Sequence, residues 1–258
     1  MSIFIAVANQ KGGVGKTTCT INLGIHFAEK GKKILFLDFD SQNDLGDSLA
    51  SEECKSPDYL NGKSLANGIN MFKADITPEP IVINENVHLI GADKGMVNIT
   101  QDNIFHAADS LDRIKDNYDY IFIDCPPSAD MLQHAALLIS QKLLIISEPD
   151  PLAIKGVNEL IQTSRKTKRL NPDLEVAGII LNSVAGQSNN LQKKSISDLR
   201  EKYGELVLNS EIKRTVRAKE ALEKGKALFQ TNPKTAEEFG FIAACDEAFA
   251  RISDEANA

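Results

Sequence analysis

Lys11-Gly12-Gly13-Val14-Gly15-Lys16-Thr17-Thr18 is the stretch whose residue types and spacing most plainly allow chemistry. Glycines let a backbone curl until successive N–H groups converge on an anion, and a helix opening behind them adds its positive end. In such a loop Lys16 would reach the β- and γ-phosphates of a nucleotide and the Thr17 hydroxyl would bind Mg²⁺. Thr18 would donate to the α-phosphate. The usual pattern is G-x-x-x-x-G-K-[ST], which puts its first glycine where Gln10 stands. Gly12, Gly13 and Gly15, with Val14 between them, still supply the cradle. Lys11 is a second cation that the pattern does not ask for.

Two acidic strand ends could complete such a site. Tyr120-Ile121-Phe122-Ile123-Asp124 is an apolar run closing on a carboxylate, the form of a Walker B strand, whose acid holds a magnesium-bound water. Ile34-Leu35-Phe36-Leu37-Asp38-Phe39-Asp40 has the same form with two acids two residues apart. Strand periodicity would turn Asp38 and Asp40 to one side, one to support the metal and the other to orient an attacking water. A solvated turn is the alternative for this pair.

The elements that would position these groups are legible as short apolar runs alternating with helical patterns. Segments 3–8, 34–38, 87–90, 120–124, 143–147 and 176–181 read as strands, several apolar at successive positions as in strands covered on both faces. Helices are expected near 17–30, 103–117, 129–140, 154–169, 191–203, 215–224 and 234–252, the first closed by Gly31. The phosphate loop thus follows the first strand and opens the first helix, the context that separates a true match from chance. Segment 51–85 is the least regular. The alternation predicts an α/β fold, a mostly parallel twisted sheet with helices on both faces, in a single domain over residues 1–258.

Composition agrees with that class: 258 residues, 42% hydrophobic and 25% charged. No apolar run approaches the roughly 18 residues of a membrane span. The opening Met1-Ser2-Ile3-Phe4-Ile5 lacks a signal peptide's basic start, so a cytoplasmic location is expected. Cys19, Cys54, Cys125 and Cys245 form no CxxC, which argues against disulfides and structural zinc, and His26 falls in a helical pattern as a structural residue. The net charge is −7, yet 15 Lys and Arg face 9 Asp and Glu between Lys155 and Lys226. That excess is either a basic face on an acidic body or a set of solvated helix surfaces.

Taken together these motifs resemble the ParA/MinD family of deviant Walker A ATPases. The resemblance rests on Lys11–Thr18, on Asp38-Phe39-Asp40-Ser41-Gln42, on Asp124-Cys125-Pro126-Pro127 and on Ile212-Lys213-Arg214-Thr215-Val216-Arg217-Ala218-Lys219-Glu220-Ala221, with Gly225 beyond. It implies a P-loop ATPase using ATP/ADP and Mg²⁺, with Lys11, Lys16 and Asp40 as catalytic residues and Thr17, Asp38 and Asp124 around the metal. The family's signature lysine, Lys11 here, reaches the nucleotide of a second subunit, so ATP would drive a homodimer and hydrolysis release it. Asn182 falls where the family contacts adenine, and Gly12 where two subunits' loops approach. The last motif favours ParA over MinD and implies non-specific DNA binding through Arg217, Lys213, Arg214, Lys193 and Lys194; an intrasubunit ion pair is the alternative for Arg217. Phosphate contacts of this kind bring salt sensitivity without sequence reading. A ParB-like centromere-binding adaptor, slow stimulated hydrolysis and nucleoid association follow from the same resemblance.

Several residues depart from the family pattern. Lys213 and Leu222 replace prolines, which would loosen the loop near adenine, and Ser41 replaces another. The first strand starts at Ile3, with no helix-turn-helix before it, so operator recognition of the kind seen in larger relatives is not expected. Plasmid or chromosome partition leads, and positioning of a protein cluster or microcompartment uses the same engine. A MinD-like membrane regulator would need a basic amphipathic end, whereas 244–255 is acidic. A nitrogenase-reductase-like carrier would need two cluster-holding cysteines, and Cys125 has no suitable companion.

Overall fold

The structure, a computed structural model, describes residues 2–186 and 190–254. Eight strands form one sheet: β1 (Ile3–Ala8), β2 (Ile34–Asp38), β3 (Ile81–Asn84), β4 (Val87–Ile90), β5 (Tyr120–Asp124), β6 (Lys142–Ser147), β7 (Glu175–Val184) and β8 (Val207–Lys213). Their order is β3-β4-β2-β5-β1-β6-β7-β8, and the β3–β4 pair alone is antiparallel. Every residue of β2, β5 and β6 is buried, which explains their unbroken apolar runs.

Alternate residues of β1 feed two cores. Ile5 and Val7 join helix α1 (Lys16–Glu29) and the closing helix Phe241–Asp254 on one face. Phe4, Ala6 and Ala8 join the helices Gln101–Asp112, Met131–Ile139 and Ala153–Thr167 on the other. Phe27 of α1 is fully buried and meets Tyr120, Phe122 and Phe249 edge-on at centroid distances of 5.0, 5.2 and 4.7 Å. Such a contact adds about 0.5–1.5 kcal/mol beyond the area it buries.

Six of the strands fall where apolar runs predict them, and β3 and β8 do not. Both are edge strands: β3, Ile81-Val82-Ile83-Asn84, is only four residues long with Val82 exposed, and Asn209-Ser210-Glu211 interrupts β8. The helix expected over 234–252 is two helices, Pro233–Glu238 and Phe241–Asp254. Gly240 separates them with φ +79°, and a Cβ there would lie 2.2 Å from the Glu211 carbonyl oxygen. The helix expected over 215–224 is shorter, Arg217–Leu222.

Parallel register brings three strand ends together. Asp124 is level with Val7 of β1 on one side and with Asp38 of β2 on the other. The crevice beyond the carboxyl ends of such strands is where open α/β sheets bind ligands.

Candidate nucleotide site

The loop between β1 and α1 owes its shape to left-handed glycines, Gly13 at φ +76° and Gly15 at φ +87°. Gly15 is also the N-cap of α1, so the first turn's N–H groups point into the loop. Asn182 at the end of β7 closes the underside, its Nδ2 donating to the Val14 carbonyl at 2.6 Å. A Cβ on Gly15 would come within 2.4 Å of that Nδ2. Asn182 therefore braces the loop through its Nδ2. Val14 is buried beneath the loop. The Lys11 amide donates to Asn9 Oδ1 at 2.8 Å, and Lys16 Nζ lies 3.5 Å from the Lys11 carbonyl, folded back across the loop.

The three acids occupy different surroundings. Asp124 is buried and accepts from the Thr17 hydroxyl at 2.6 Å and from Thr20 at 3.3 Å. Burial pushes its carboxyl up to about 7, against the opposing pull of Thr17 and Lys16. Asp38 is also buried, and burial followed by the neighbouring Asp124 raises it well above the usual range. Its two oxygens accept from the backbone of Asp40 at 2.9 Å, Leu45 at 3.0 Å and Gly46 at 3.3 Å. Asp40 alone reaches the open cleft. β2 ends at Asp38, so the period-two argument that would turn both acids one way stops applying before Asp40.

A cleft of about 710 Å³ opens over the loop, within the range of small-ligand sites. Gly12, Lys16, Thr17, Thr18 and Asp40 line one side. Lys219, Leu222 and Glu223 line another; sequence reading did not select Lys219 or Glu223 for it, although their spacing with Leu222 marks one face of a helix. Among the described residues no cluster of three or more His, Cys, Asp or Glu could cage a metal. The hydroxyl of Thr17 beside the Asp124 carboxylate suits Mg²⁺, which keeps waters and phosphate oxygens and takes few protein ligands.

A family model described as an AAA domain matches residues 2–176. The chain is 33% identical over 238 residues to the sporulation initiation inhibitor protein Soj of Bacillus subtilis, covering 91% of this chain and 93% of that one. It is 30% identical over 257 residues to the chromosome partitioning protein ParA of Caulobacter vibrioides, covering 97% and 95%. This chain belongs to the ParA/MinD family of ATPases. Apo McdA of Cyanothece shares the fold at a TM-score of 0.81 and 22% identity, over 96% of this chain and all of that one.

The ParA/MinD signature lysine is engaged within its own protomer. Lys11 Nζ pairs with Asp150 and lies 3.8 Å from Glu148 Oε2, and the Asp150 hydrogen bond raises its pKa. Of the residues expected on DNA, Arg214 pairs with Glu148, and Lys213 Nζ donates to the Glu238 carbonyl at 3.3 Å. Arg217 is 4.0 Å from Glu220, a contact too long and too exposed to hold it. Lys193 and Lys194 are exposed on the helix Asn190–Tyr203 and form no ion pair among the described residues. His26 is structural, with Nε2 2.9 Å from Asp246 Oδ1 and its ring edge-on to Phe229. All four cysteines are free and buried.

Proposed function

We propose that this chain is a ParA-type partition ATPase, a single P-loop ATPase domain over residues 1–258 that binds Mg-ATP, dimerises face to face and hydrolyses slowly. The observation that carries this reading is the joint placement of Lys16, Thr17 with Asp124, and Asp40 around one cleft at the strand ends. Lys16 neutralises β- and γ-phosphate oxygens, and loop N–H groups orient them. Thr17 and Asp124 would hold the magnesium, which when bound spreads the charge that builds on the phosphates. Asp40 orients a water for attack and takes its proton. Asp38 acts one step back, fixing the turn that carries Asp40. Lys11 serves the nucleotide of a second copy. The dimer binds DNA through phosphate contacts, and a ParB-like adaptor on centromere DNA raises turnover, with the protein cytoplasmic and on the nucleoid.

Gly12 provides the test. A Cβ built there meets only Pro127 Cβ, at 3.8 Å, so a side chain fits within the protomer. Gly12→Val should therefore fold and bind ATP yet fail to form the ATP-dependent dimer in light scattering. A normal dimer in that variant would refute the face-to-face arrangement.

A further inference from the structure

We propose that Asp150 and Glu148 are positioning residues that dock Lys11 in its own protomer, and so set the nucleotide level at which two copies join. The inference rests on the reading above that Lys11 serves the nucleotide of a second copy. Both carboxylates lie in the turn between β6 and the helix Ala153–Thr167. Asp150 Oδ1 accepts from the Leu152 amide at 2.8 Å, and the Asp150 amide donates to the Glu148 carbonyl at 2.9 Å. The turn is thus held by its own hydrogen bonds before any lysine arrives. Asp150 Oδ2 pairs with Lys11 Nζ, and Glu148 Oε2 stands 3.8 Å from the same nitrogen. The two carboxylate side chains are 25% and 19% exposed, against 51% for the lysine. A half-exposed cation therefore rests on two better-buried anions.

Moving Lys11 to a phosphate exchanges one anionic partner for another, so the dock opposes dimerisation. The Lys11 amide stays tied to Asn9, which leaves the side chain as the part that moves. Glu148 keeps Arg214 on its other oxygen when Lys11 departs. Asp150 has no ion pair besides Lys11 among the described residues, so it is the stronger brake.

The test uses the full chain with a non-hydrolysable ATP analogue and reads the dimer fraction by light scattering. Asp150→Asn and Glu148→Gln should each lower the analogue concentration at half-dimerisation, about three-fold for an exposed ion pair. Nucleotide affinity measured at protein concentrations that keep the chain monomeric should not change. Without nucleotide, Lys11 in Asp150→Asn should react faster with an amine-acylating reagent, read by peptide mass spectrometry, and Asp150→Glu should restore the wild-type rate. A wild type that dimerises, with variants that melt normally but show an unshifted or raised midpoint, overturns the dock. A wild type that never dimerises overturns the functional reading on which the dock depends.

Discussion

Asp38 and Asp40 stand two residues apart, and their surroundings assign them different work. The Asp38 carboxylate accepts three backbone N–H groups and sees no solvent, whereas Asp40 faces the cleft. Asp40→Ala should leave nucleotide binding and melting temperature intact while stopping phosphate release; normal turnover would remove Asp40 from the chemistry. Asp38→Ala should instead lower stability, since each stranded buried donor costs roughly 1–3 kcal/mol, and calorimetry will separate the two variants. Lys16→Ala should abolish ATP binding in a calorimetric titration, and unchanged affinity would move the site elsewhere. The placement of Lys16, Thr17 and Asp40 about one cleft, with Asp124 against Thr17, was legible in the sequence because each stands at a strand end or helix start that its motif marks. The bond from the Asn182 amide to the Val14 carbonyl, 168 residues away, was not legible, because it depends on where β7 lies in the sheet. Lys219 and Glu223 went unselected because nothing in a motif says which way a short helix will face.

Helix α1 carries the loop and is buried along most of its length, so loop geometry and core packing are joined. Phe27→Ala, at the far end of α1, should cost about 3–5 kcal/mol in denaturant unfolding. A smaller loss would mean that the aromatic cluster collapses around the cavity. The central strands were readable because both faces are covered and apolar residues fill consecutive positions. β3 and β8 were not: β3 is four residues inside an irregular segment, and β8 is an edge strand that stays polar at its centre and still pairs. The break at Gly240 was hidden for a related reason: helical periodicity runs through it, and only the approach of the Glu211 carbonyl forbids a side chain there.

Across the whole molecule, the cations between Lys155 and Lys226 are spread over several elements. Arg165 and Lys166, with Lys168 and Arg169 beyond them, gather at the end of the helix Ala153–Thr167, where the helix dipole favours positive charge. Arg214 and Lys213 already have partners. Lys193 and Lys194 form no ion pair among the described residues, and Arg217 is only loosely held by Glu220. Replacing Lys193 and Lys194 with Glu should weaken ATP-dependent DNA binding and flatten its salt dependence by roughly 0.9 logarithmic units for each phosphate contact removed. An unaltered slope would take DNA off the helix Asn190–Tyr203. No described helix is long and apolar enough to cross a membrane.

The interior placement of every native thiol has a practical side. Burial raises the Cys19 and Cys54 thiols to about 12 and about 11, and Cys125 and Cys245 are likewise shifted upward. Maleimide dyes attack the accessible thiolate, so these four side chains should stay dark under native labelling. A single cysteine placed at an exposed position, such as Val216→Cys, would then carry the only fluorophore without stripping the native residues. Energy transfer between two such labelled copies would follow their encounter in real time.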